Sequence, residues 1–144
     1  MADKVQNFEN HGQIVPMYHY VSFGLLAATL VGSCVNLFTV DAAGHYSAAL
    51  LVATNIVLVF VFFWARLFAL KAQDRAIRAE ENFRHFVLTG KPLDSKLDVR
   101  QIIGLRFASD AEFPALAQRA AAEKMSEKEI KRAVKTWRAD HYRA

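Results

Sequence analysis

Five histidines, His11, His19, His45, His85 and His141, are the residues of this chain best suited to hold a metal or move a proton near neutral pH. No two of them stand in an HxxxH or HExxH spacing, which would put two imidazoles on one helix face around zinc. His11 and His19 flank IVPMY, and His45 lies in a distant linker, so these three do not share a metal. His19, beside the first apolar run, is the one cofactor candidate, because a single imidazole can be the axial ligand of a haem or of a chlorophyll magnesium. Its ordinary reading is a polar residue at a membrane interface, and no cofactor is expected. Cys34 is the lone cysteine, so no disulfide or cysteine-rich metal site forms within one chain. There is no glycine-rich phosphate loop, no nucleophile beside a base and no pair of carboxylates inside an apolar run. Asp41, the only acid near those runs, sits at an edge. Neither an enzyme nor a small-molecule substrate is expected.

The elements that would position any site are two apolar segments. Residues 18 to 70 of the 144 contain one acid, Asp41, and one base, Arg66. From Lys71 onward there are sixteen bases and eleven acids, so the net charge of +4 sits in the C-terminal half. YVSFGLLAATLVGSCVNLFTV, residues 20 to 40, and SAALLVATNIVLVFVFFWARLFAL, residues 47 to 70, each reach the ~20 residues a helix needs to cross hydrocarbon. A lipid-exposed segment must satisfy its backbone internally, so both are expected to be helices. The linker DAAGHY, 41 to 46, makes them antiparallel neighbours. The opening residues are polar and lack a basic stretch running into an apolar core. They do not read as a signal peptide, and the first span is expected to persist in the mature protein.

Orientation follows from charge. The linker has no Lys or Arg, whereas Lys71, Arg75 and Arg78 crowd the end of the second span. The positive-inside rule puts the linker outside and both termini in the cytoplasm. Tyr18, Tyr20, Tyr46 and Trp64 fit an aromatic belt. Arg66 lies little more than a turn before Lys71, and its stem can carry the guanidinium to the headgroups; an ion pair with a partner subunit is the alternative. Helical spacing continues through LKAQDRAIRAEENFRHF, with Asp74 four residues before Arg78, so the second helix is expected to run to about Val87. Gly90 and Pro92 then stop it. Asn55 lies deep in its span and wants a hydrogen-bond partner on another helix. Gly24, Ala28 and Gly32, with Ala27 and Ser33, offer a close approach on span one, either to span two or to another membrane protein.

Beyond the loop TGKPLDSKLD, 89 to 98, the residues from 97 to 144 read as a small helical tail. Val99, Ile102, Ile103 and Leu105 mark one short helix. Ser109-Asp110-Ala111-Glu112 and Ser126-Glu127-Lys128-Glu129 are capping-box signatures for two more. Pro114 is expected to bend the first of these. The last is expected to carry Ile130, Ala133, Val134 and Trp137 on one face. A helix-turn-helix is disfavoured: Glu127 and Glu129 sit at the reading end and would repel phosphate. No nucleic acid is expected. The basic residues suit anionic lipid headgroups instead.

NHGQIVPMYHYV, FALKAQDRAIRAEE, IIGLRFASDAEFPALAQRA and SEKEIKRAVKTWRADHYR together resemble an uncharacterised family of small bacterial inner-membrane proteins, a domain of unknown function. The resemblance covers nearly the whole chain. It implies a two-span protein with a helical cytoplasmic tail and carries no activity.

The expected fold is therefore all-α: a two-span transmembrane hairpin in a bacterial inner membrane, a second helix extending into the cytoplasm, and a small helical tail. The expected role is an accessory or scaffold subunit beside larger membrane subunits, with a self-assembling homo-oligomer as the alternative. The residues expected at an interface are Gly24, Ala28, Gly32 and Asn55 in the spans, Arg66, Asp74 and Arg75 at the exit, and Lys135, Trp137 and Arg138 on the last helix.

Overall fold

The computed structural model describes residues 6–12 and 14–140. They form helices and no strand, so the protein is all-helical. After Pro16 the chain makes a π-helical turn, Met17–Ser22, which passes directly into α1, Phe23–Thr39. Helix formation thus begins three residues ahead of the apolar run at 20. Gly44 closes the following turn by donating its N–H to Asp41, and α2 spans His45–Thr89 without interruption. No Gly or Pro falls between His45 and Thr89 to break it. Gly90 ends it in the left-handed region at φ 73°, a conformation open to glycine because it has no Cβ.

Three short helices follow: α3, Val99–Leu105; α4, Phe113–Glu123; and α5, Glu127–Ala133. The chain divides into two compact units, Gln13–Ala69 and the remainder, with α2 contributing to both.

In the first unit α1 lies against α2. Leu26, Leu30, Ser33 and Leu37 form the more buried side of α1. The Tyr18 ring stacks on Phe62 with centroids 4.3 Å apart, and its hydroxyl donates to the Phe62 carbonyl at 2.7 Å.

The second unit has the hydrophobic core. Ile102, Ile103 and Leu105 of α3 pack with Phe113, Leu116 and Ala120 of α4, Ile130 of α5, and Ile77 of α2. The tail therefore bundles and also folds back on the helix leading into it. α3 is opened by a capping box that periodicity did not flag: Asp98 accepts from the Gln101 amide, and Gln101 accepts from the Asp98 amide. α5 opens on the expected Ser126–Glu129 box. There the Ser126 amide, then its hydroxyl, hold the Glu129 carboxyl below its ordinary range.

Two expectations for the tail are corrected. The Ser109 signature does not cap a helix with its hydroxyl. Glu112 reaches back to the Ser109 amide, but α4 starts at Phe113 with Pro114 in its first turn. Proline there lacks only an N–H that has no helical partner anyway, so it starts the helix instead of bending it. The last helix is also shorter than its spacing implies. Val134 leaves it in an extended conformation (ψ 122°), and Lys135, Trp137 and Arg138 lie beyond it. Trp137 pairs with Ala108 in a single antiparallel bridge, flanked by Arg138 N–H to Phe107 O and Ser109 N–H to Thr136 O.

Candidate interaction surfaces

Where α2 carries the tail, its packed face is charged. Glu81 is 5 % exposed, and Arg84 stands one turn on. Arg84 reaches Glu81 at 2.9 Å, donates through Nε to Asp110 at 2.7 Å and through Nη2 to the Ala108 carbonyl at 2.7 Å, and lies over the Phe113 ring. Arg138 reaches the second Glu81 oxygen at 3.5 Å. One helix face and the LRFASDAEF phrase are thereby clasped by a single guanidinium.

Burial holds the Glu81 carboxyl above its ordinary range, against the opposing pull of Arg84 and Arg138. Because the folded value is the higher one, the contribution of Glu81 to stability is fullest below the ordinary carboxylate range. It is lost as pH rises through the shifted value and is constant above it. Glu81→Gln, close in shape to the protonated acid, should therefore flatten the pH dependence of the unit's unfolding from the ordinary carboxylate range upward. It should leave stability at neutral pH no lower than that of the native chain. Thermal unfolding of the two proteins across that range measures it, and parallel curves would refute it.

Glu112, marked in the sequence only as a capping residue, and Gln6, not evident in the sequence pattern, organise the terminal segment. Besides Ser109, the Glu112 carboxylate accepts from the Lys135 and Thr136 amides at 3.2 and 3.1 Å. Gln6 donates to the Asp140 carbonyl at 3.1 Å and accepts from the Asp140 amide at 2.8 Å. Beside it Phe8 lies under Arg132, and the His11 ring meets Phe107 and Trp137. Lys131 bridges Glu127 at 2.6 Å and His11 Nε2 at 3.2 Å. Any sequence signal for these contacts lay in polar residues of ordinary loop composition.

Of the residues singled out from sequence, Trp137 and Arg138 come together with Glu81 and Phe107, and the others do not form one site. Lys135 is exposed. Asp74 is partly buried and Arg75 exposed, and neither makes an ion pair among the described residues; the i,i+4 pair of Asp74 with Arg78 is not formed. Arg66 is partly buried, with its guanidinium 6.0 Å from the Tyr18 ring centre. Asn55 is buried, accepts from the Thr29 hydroxyl at 2.9 Å and donates to the Leu51 carbonyl, so its partner helix is α1 of its own chain. Gly24, Ala28 and Gly32 are exposed, and a Cβ added at either glycine would meet nothing within 4 Å. Gly24, Ala28 and Gly32 thus do not serve the intramolecular hairpin, whereas Ser33 of the same small set is buried on the packed side of α1. His19 turns Nδ1 toward Val15, 3.1 Å from its amide nitrogen and 3.0 Å from its carbonyl. His85 turns Nδ1 to the Lys91 carbonyl at 2.7 Å. His141 lies outside the described residues. Among the described residues no three His, Cys, Asp or Glu side chains are grouped to hold a metal ion.

No curated protein and no solved structure matches this chain. A family model does match, over residues 1–144. By that match across its full length the chain belongs to DUF6526, a family of unknown function.

Proposed function

We propose that this protein is a non-catalytic integral protein of a bacterial inner membrane, crossing it twice with both ends in the cytoplasm, and that it serves as an accessory or scaffold subunit beside a larger membrane complex. Helices Met17–Thr39 and His45–Thr89 are each long and apolar enough to cross, and only 6 % of each apolar window is buried within the protein. A core helix of a water-soluble fold would have most of that surface covered. Residues 6–11 join the same compact unit as residues 70–140. The number of crossings between them must therefore be even, which a two-helix hairpin satisfies. Lys71, Arg75 and Arg78, just past the apolar run, suit anionic headgroups at roughly 1 kcal/mol each near the surface.

The observation that carries the accessory role is the exposed small face of α1. In lipid, helices associate through close backbone approach at small residues. Gly24, Ala28 and Gly32 recur at every fourth position and look away from α2.

The test is native mass spectrometry on protein extracted gently from its own membranes. Larger membrane subunits in fixed ratio are expected. Gly32→Leu, whose Cβ would meet nothing within 4 Å in the isolated chain, should keep the hairpin and lose those subunits. Multiples of the chain's own mass alone would refute the accessory role, and absence from the membrane fraction would refute the membrane reading itself.

A further inference from the structure

On the part of α2 that belongs to the C-terminal unit, one face packs and the opposite face is bare. Ile77, Glu81 and Arg84 look into the core. Half a turn away, Ala72, Ala76, Ala79, Phe83 and Phe86 are all exposed. Phe83 is 69 % and Phe86 52 % exposed, on a helix otherwise flanked by Arg75, Arg78 and Glu80. The steps along this stripe are four, three, four and three residues, the seam spacing of a coiled coil. In the sequence the same steps run back to Ala69 and Ala65, making three heptads of apolar residues.

We infer that this stripe pairs in parallel with the same stripe of a second copy of the chain. Charge selects that occupant. With Ala76 and Phe83 in the first core position of their heptads, and Ala72, Ala79 and Phe86 in the second, Arg75 and Glu80 fall on the two flanks. In a parallel two-stranded coil the flank residue before one core position faces the residue five further along in the partner. Arg75 of each chain thus meets Glu80 of the other, twice by symmetry. Neither residue makes an ion pair within its own chain among the described residues. An antiparallel pair sets like flanks together and loses that match. The alanines let the helix backbones approach closely, and the phenyl groups cover each other where the helices part. Val87, 66 % exposed beside Phe86, widens the apolar seam.

The parallel sense also follows from the proposed membrane topology, since two copies inserted alike send α2 out of the same face. The inference rests on that reading to this extent, and it adds a self-contact distinct from the α1 face.

The test places single cysteines at Ala72, Ala76 or Arg78 in a Cys34→Ala background and oxidises the full chain in its own membranes. Ala72→Cys and Ala76→Cys should each give a disulfide-linked species of twice the chain mass, because paired core positions bring Cα atoms within disulfide reach. Arg78→Cys, off the seam, should give several-fold less. Adding Arg75→Glu to Ala76→Cys should lower the linked fraction several-fold, and adding Glu80→Arg as well should restore it. Equal linking at all three positions, none at Ala76, or no rescue by the double exchange would overturn the pairing. Linking only between mixed Ala72→Cys and Phe83→Cys chains would show an antiparallel contact and overturn it too. Extraction of the protein by alkaline carbonate, read in parallel, would fail the membrane reading while leaving the cross-linking result to stand or fall alone.

Discussion

Arg84→Ala is expected to destabilise the C-terminal unit by about 3–5 kcal/mol, the usual cost of removing one partner from a buried ion pair. The loss leaves Glu81, its side chain 7 % exposed, with only Arg138 at 3.5 Å, and that arginine is itself 54 % exposed. The Ala108 carbonyl and Asp110 lose their donor in the same step. Hydrogen exchange across residues 97–140 should accelerate accordingly. The defect should shrink at low pH, where Glu81 takes up a proton and the stranded charge disappears. Combining Arg84→Ala with Glu81→Gln should recover a large part of the loss at neutral pH. If the double variant is as damaged as the single one, the cost lies in the lost hydrogen bonds to Ala108 and Asp110, and the buried charge is not its source.

Phe107→Ala should cost a similar ~3–5 kcal/mol, the range for removing a fully buried aromatic side chain. Phe107 is 0 % exposed, and its ring stands 4.8 Å from that of Trp137 and 5.7 Å from that of His11, centre to centre. Arg106 and Lys131 also place their charges over it. The cavity would release the N-terminal segment and the terminal extended segment together. Trp137 emission, read in a Trp64→Phe background, should shift to the red, and protease should reach the residues around His11. Loss of stability with Trp137 emission unchanged would mean that Phe107 supports α3 and not the terminal segments.

Much of the helical frame was legible because its signals are local. The unbroken run from His45 to Thr89 contains no breaker, and Gly90 stands where the helix stops. Ser126 and Glu129 are close enough in sequence to find each other without help from the rest of the chain. Failures came where a distant segment competed. Ile130, Ala133, Val134 and Trp137 keep helical spacing, yet two β-branched residues, Val134 and Thr136, lie in a stretch where Phe107 and Ser109 offer backbone partners. Those long-range bonds outweigh a weak local preference. Ser109 failed differently: Pro114 favours a helix start just ahead of it, so the signature four residues earlier became a turn.

The interaction surfaces were only half legible. Small residues on α1 were visible, but a span apolar on every side does not disclose which face meets its neighbour. The Thr29–Asn55 hydrogen bond and the buried Ser33 orient α1 toward α2. That turns Gly24, Ala28 and Gly32 outward. The exposed stripe on α2 is faint in the sequence because alanine carries little hydrophobic signal. It stands out only once Ile77 and Glu81 are seen to occupy the opposite side.

The pair of hydrogen bonds between Gln6 and Asp140 has a consequence for the order of events on the ribosome. Gln6 emerges 134 residues before its partner. At about 5–20 residues per second the N-terminal segment waits on the order of ten seconds, while α1 and α2 are made, before the residues it clasps exist. A bond of such high sequence separation is closed late. It therefore closes only after α1 and α2 have been synthesised, and a chain stalled short of Asp140 holds the Gln6 segment without its clasp.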